Sequence, residues 1–105
     1  MKKSKGLFIY IALLNLIIMV HNSDEYAKYA ALAGPAVQKY GGEFLARGGK
    51  CLTKEGPVQL RNVIIKFPDF DSAITFYESP EYSTALEFAL ADGVSTRNYT
   101  IVEGV

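Results

Sequence analysis

Tryptophan is missing from this 105-residue chain, and it has one cysteine, Cys51, and one histidine, His21. A lone cysteine closes no disulfide within the chain, and one cysteine with one histidine falls short of the ligand set of a zinc site. Zinc hydrolysis and a Cys/His catalytic pair are therefore poorly served. An excess of one charge is also missing, since 11 Lys and Arg balance 11 Asp and Glu. No net field draws the chain to nucleic acid or to an anionic membrane surface. The glycine pairs in "GGEFLARGGK" (41–50) match neither nucleotide fingerprint. They do not form G-x-G-x-x-G at the start of a helix, and Lys50 is followed by Cys51 rather than by Ser or Thr. No metal, cofactor or nucleic-acid partner is expected.

What is present is a globular composition, 50% hydrophobic and 12% aromatic, of a length that suits one domain. The amino terminus, "MKKSKGLFIYIALLNLIIMV", has a basic start and an apolar run over residues 7–20. Such a run resembles a signal peptide, but it is too short for the roughly 18–20 residues that span a bilayer, and no small-x-small cleavage site follows. We read residues 14–20 as a buried first strand and residues 1–13 as a basic, apolar extension. The expected compartment is the cytoplasm. The alternative is export or membrane anchoring through residues 1–20.

"HNSDEYAKYAALAGPAVQKYGG" carries the strongest helix signal. Asn22 or Ser23 can cap it, Asp24 and Glu25 suit the positive end of the dipole, and Tyr26, Tyr29, Ala30, Ala33, Val37 and Tyr40 form one stripe. Pro35 predicts a kink or break near Gly34. Gly41 fits a left-handed C-cap, after which "EFLAR" starts a strand, with Gly48-Gly49 as a bulge or bend within or after it. "VQLRNVIIKF" alternates, with Arg61, Val63, Ile65 and Phe67 on one face. "PDFDSAITFYESPEYSTALEFALADG" reads as two consecutive helical segments. Asp69 caps the first, with a stripe of Phe70, Ala73, Ile74 and Tyr77. Ser79-Pro80 starts the second, with a stripe of Tyr82, Ala85, Leu86, Ala89 and Leu90. "NYTIVEGV" closes the chain as a strand with Tyr99, Ile101 and Glu103 facing together.

The order is β-α-β-β-α-β, an α+β ferredoxin-like fold over residues 14–105. Right-handed crossovers place the helices on one face of an antiparallel sheet. The other face needs a cover, and a second copy of the chain is the simplest one.

With these elements placed, "EYAKYAALAGPAVQKYGGEFLARGG", "VIIKFPDFDSAITFYESPEY" and "IVEGV" together resemble the family called domain of unknown function 1330, of the dimeric α+β barrel superfamily. The resemblance implies two sheets paired face to face in a homodimer. It also admits a cofactor-independent oxygenase or isomerase acting on a small aromatic or polyketide-like compound, as the superfamily includes such enzymes. The chain departs from the family in its amino-terminal extension and in "HNSDEY", where a proline is usual. It also lacks an arginine in the last helix, at "EFALADG", which weighs against a charged ligand.

Two function classes follow. In the first, a small-molecule-binding dimer holds its ligand between helices and sheet, with Tyr26, Tyr40, Tyr77, Tyr82, Arg47 and Arg61 as binding residues. Tyrosine suits such a place because a ring with a polar tip lines an amphipathic pocket, and arginine supplies a fork for an anion. In the second, an enzyme uses His21 or Tyr77 as proton relay and Arg47 or Arg61 to hold an oxyanion.

Overall fold

A computed structural model of the chain describes residues 10–58 and 61–105. Most of the expected extension, residues 1–9, and two residues of the predicted third strand, 59 and 60, lie outside the described residues. The elements run β1 (Ala12–Val20), α1 (Ser23–Lys39), β2 (Glu43–Arg47), β3 (Arg61–Phe67), α2 (Phe70–Tyr77), α3 (Pro80–Ala89) and β4 (Ser95–Glu103). Three antiparallel pairings give the sheet order β2-β3-β1-β4, with β1 and β3 in the centre. This is the ferredoxin-like α+β arrangement that the element order predicts.

Side-chain alternation divides the sheet. Ala12, Leu14, Leu16 and Ile18 of β1 are all at most 2% exposed and face the helices, joined by Val63, Ile65 and Phe67 of β3. Three cross-strand rows follow from the register. Arg61–Ile18–Arg97 forms the first, Arg47–Val63–Leu16–Tyr99 the second, and Phe44–Ile65–Leu14–Ile101 the third. Residues directly opposite across a ladder point to the same face. Each row therefore projects toward the helices.

The helix caps follow the sequence. Asn22 Oδ1 accepts from the Glu25 amide at 3.1 Å, Asp69 Oδ1 from Ser72 at 2.7 Å, and Ser79 Oγ from Tyr82 at 3.1 Å. Gly41 adopts φ +84°, the left-handed conformation expected at the end of α1. Two expectations need correction, on Pro35 and on the buried side of α2. Helix α1 runs unbroken through Pro35, because Pro35 and Ala31, whose carbonyl loses its partner, both lie on the exposed side where water serves that oxygen. Gly48 makes a bend after β2, as expected, and the strand itself carries a further register shift between Phe44 and Ala46. The buried side of α2 is Ala73 and Phe76, both 0% exposed, whereas Phe70 and Tyr77 are each 37% exposed. Two helical turns are too few to define a stripe by periodicity alone.

Candidate functional site

The interior between α1, α3 and the sheet holds most of the tyrosine. Tyr26 and Tyr29 project from α1 one turn apart, with ring centroids 4.9 Å apart. Tyr82 enters from the first turn of α3, and its hydroxyl lies 2.8 Å from that of Tyr29. Tyr99 enters from β4, and its ring centroid stands 6.2 Å from Tyr82 and 4.8 Å from Tyr77. These aromatic groups, with Leu16, Ala33, Val63 and Phe76 among the apolar walls, surround a cavity of about 30 Å³.

Arginine is the second component. Arg97 Nη2 donates to Tyr29 Oη at 3.1 Å and to Tyr82 Oη at 3.0 Å, while its guanidinium carbon lies 4.7 Å from the Tyr29 ring centroid. Its Nε and Nη1 are buried without a partner. Arg61 lines the cavity, and its Nε is likewise buried and unpaired. Gly48 explains how Arg61 fits, since a Cβ there would stand 1.9 Å from Arg61 Nη1, and the residue has φ +70°. Arg47 also lines the cavity from the exposed edge strand, with its guanidinium 4.1 Å from the Phe44 ring centroid and against Gly34. The first glycine of the Gly48-Gly49 pair thus clears space for an arginine.

Two tyrosine hydroxyls, Tyr26 Oη and Tyr99 Oη, are buried with no hydrogen bond. Burial pushes the Tyr26 phenol up to about 12, against the pull of Arg97 and Arg61, and pushes Tyr82 and Tyr99 up as well. All three stay neutral near pH 7. They solvate guanidinium charge without neutralising it.

The sequence-predicted candidates separate into two groups. Tyr26, Tyr82, Arg47 and Arg61 line the cavity together. Tyr77 touches the cluster from outside through its rings with Tyr82 and Tyr99. Tyr40 does not line the cavity, and it donates to Glu81 Oε1 at 2.8 Å, beside a Lys39–Glu81 ion pair. His21 is exposed at the end of β1, with Nε2 2.9 Å from Thr96 Oγ1. Arg97 was not singled out from sequence, although two-residue alternation from Tyr99 and Ile101 places it on the inward face. Among the described residues no group of three or more His, Cys, Asp or Glu side chains gathers to hold a metal ion, and no helix is long and apolar enough to cross a membrane.

Comparison with known proteins agrees with this fold. A protein of unknown function from Rhodopseudomonas palustris superposes with a TM-score of 0.76 at 15% identity, covering 99% of this chain and 95% of its own. SnoaB, a cofactor-independent oxygenase from Streptomyces nogalater, gives 0.58 at 18% identity over 90% of this chain and 91% of its own. A dimeric ferredoxin-like protein of unknown function from Thermobifida fusca gives 0.53 at 13% identity over 92% and 95%. At these identities the likeness concerns the fold. No curated protein matches the chain. The family described as Domain of unknown function (DUF1330) matches residues 12–105, and this chain is a member of it.

Proposed function

We propose that the protein binds a small molecule in the tyrosine-lined cavity between helices and sheet, and that it does so as a homodimer paired through the open sheet face. The observation that carries the reading is the set of buried, unpaired polar atoms of Tyr26, Tyr99 and Arg61 around one cavity, with Arg97 behind it, bonded to the lining residues Tyr29 and Tyr82. Buried polar groups in a folded protein are nearly always satisfied, so a cluster of orphans beside free space calls for a visitor that satisfies them. The dimer draws support from the helix-free face and from the dimeric fold relative of Thermobifida fusca. A cytoplasmic location draws support from β1, because cleavage after residue 20 would remove a central strand.

The enzyme reading keeps one point in its favour, the arginine donors that would hold an oxyanion. Its SnoaB-like form, an oxygenase or isomerase of an aromatic or polyketide-like compound, requires the cavity to widen. About 30 Å³ is far below the 300–1,000 Å³ typical of drug-sized sites. His21 would also have to be replaced as relay by a tyrosine such as Tyr77.

Native mass spectrometry of the full chain tests the proposal. The expected spectrum shows a dimer with a discrete retained mass that is lost in Ala30→Leu, a substitution that fills the chamber from α1. A ligand-free protein that stays empty when offered small organic compounds would overturn it.

A further inference from the structure

The arginine positions specify the chemistry of the ligand. Arg61 and Arg97 occupy the same cross-strand row, on either side of Ile18, and Arg47 stands in the next row. With strands spaced about 4.8 Å, the backbones of Arg61 and Arg97 are roughly 10 Å apart on one face. Both point into the same helix-covered interior. Among the described residues no acidic side chain lines the cavity. Among the described residues, the ion pairs are Lys28–Glu25, Lys39–Glu81 and Lys66–Glu43, and none involves Arg47, Arg61 or Arg97. Glu81, at the start of α3, is held by Lys39 and Tyr40.

Buried cations ordinarily have a counterion, because desolvation without one is costly. Among the described residues, the hydrogen-bond and ring partners of the Arg97 guanidinium are the tyrosines Tyr29, Tyr82 and Tyr99, and burial raises the Tyr82 and Tyr99 phenols so that they stay uncharged at neutral pH. Among the described residues no ion pair supplies these arginines with a negative charge, which leaves room for one brought by a ligand. Size narrows the choice further. One water needs at least about 10–15 Å³ of such space, so about 30 Å³ admits a group of two or three heavy atoms and excludes a polycyclic body. A carboxylate is planar, has two acceptor oxygens and matches the arginine fork, and the free phenols of Tyr26 and Tyr99 can donate to its remaining lone pairs.

We infer that the cavity receives the carboxylate head of a small organic acid, with Arg61 as its charge partner in the lining, Tyr26 and Tyr99 as further donors, and Arg97 adding its charge from behind Tyr29 and Tyr82. Arg47, at the exposed rim, draws the anion in. This rests on the small-molecule reading above and gives that reading a ligand class. It also answers the missing arginine of the last helix, since β4 supplies one from the other side of the chamber.

Matched pairs of probes test it: acetate against acetamide, propionate against propionamide, and benzoate against benzamide, followed by calorimetry and thermal unfolding at constant ionic strength. The acids should bind at least tenfold more tightly than their amides and raise the melting temperature. Arg61→Met should lose that preference while the ligand-free variant melts at or above the wild-type temperature, because an uncompensated charge has been removed. Arg61→Lys should keep the preference at reduced affinity, since it retains the charge and loses the fork. Equal binding of acids and amides would overturn the carboxylate inference and leave the small-molecule reading standing. So would a retained neutral compound in the native spectrum with no response to any acid. A chain that neither retains a compound nor responds to acid or amide would overturn both.

Discussion

The two faces of the sheet are built from the same strands and solve opposite problems. Toward the helices the rows are continuous apolar side chains at one end, Phe44–Ile65–Leu14–Ile101, and charged or phenolic groups at the other. On the open face the rows form a checkerboard. Asn62–Ile17–Asn98 lies beside Ile64–Asn15–Thr100, and Lys66–Leu13–Val102 follows. Polar residues on the helix side are thus concentrated where they surround a cavity, whereas on the open side they are dispersed among apolar ones. Dispersal suits a surface that meets a partner through mixed hydrophobic and hydrogen-bonded contacts. Concentration suits a chamber. A sheet with one face of each kind can bind a ligand and pair with a copy without either demand interfering with the other.

That contrast can be broken most severely from the helix side. Phe76 is fully buried, with ring centroids 5.3 Å from Phe67 and 4.4 Å from Tyr82. Phe76→Ala should cost about 3–5 kcal/mol in chemical denaturation, by lost transfer energy and a residual cavity. A loss below about 1 kcal/mol would mean that the aromatic cluster is loosely packed. On the open face the same kind of insult should act on assembly. Ile17→Glu places a charge at the centre of the checkerboard, and it should weaken dimerisation at least tenfold, about 1.4 kcal/mol, while circular dichroism keeps its native shape. Sedimentation at several concentrations would decide this. An unchanged association state would move the interface elsewhere.

The smallest expected effect lies outside both faces. Glu81 at the start of α3 is held to a pKa of about 2 by its hydrogen bonds from Lys39 and Tyr40, against an ordinary 4.5. A carboxyl whose folded pKa is depressed stabilises the protein above the unfolded value, and that contribution fades as pH falls from about 4.5 toward 2. The pair is exposed, so only a shallow acid slope is expected from it. Thermal unfolding of Glu81→Gln across that window should show a flatter dependence than wild type, and an identical slope would assign the acid sensitivity to other carboxyls.

Much of this arrangement was legible in the chain. Asn22, Asp69 and Ser79-Pro80 signal their helices because a capping side chain acts on amides two or three residues away, which is a local interaction. The alternation of Val63, Ile65 and Phe67 against Ile64 and Lys66 likewise needs only a period of two. Four of the named candidates, Tyr26, Tyr82, Arg47 and Arg61, proved to share a cavity because each lies on an inward stripe. Phe76 was missed because an eight-residue helix supports more than one stripe. Tyr40 was named on the same stripe, yet Glu81, forty-one residues later, takes its hydroxyl.

By itself the sequence determined which segments form helices and strands, their order, and which side chains turn inward, since caps, turns and periodicity act within a few residues. Only the tertiary structure decided that Arg61 and Arg97, separated by thirty-six positions' worth of chain, flank one residue of β1. Strand register sets that juxtaposition, and register depends on how all four strands pair. That no ion pair among the described residues involves those arginines was also decided there. Net charge is zero along the chain, but the balance is struck over the whole surface, and the folded interior keeps the positive share.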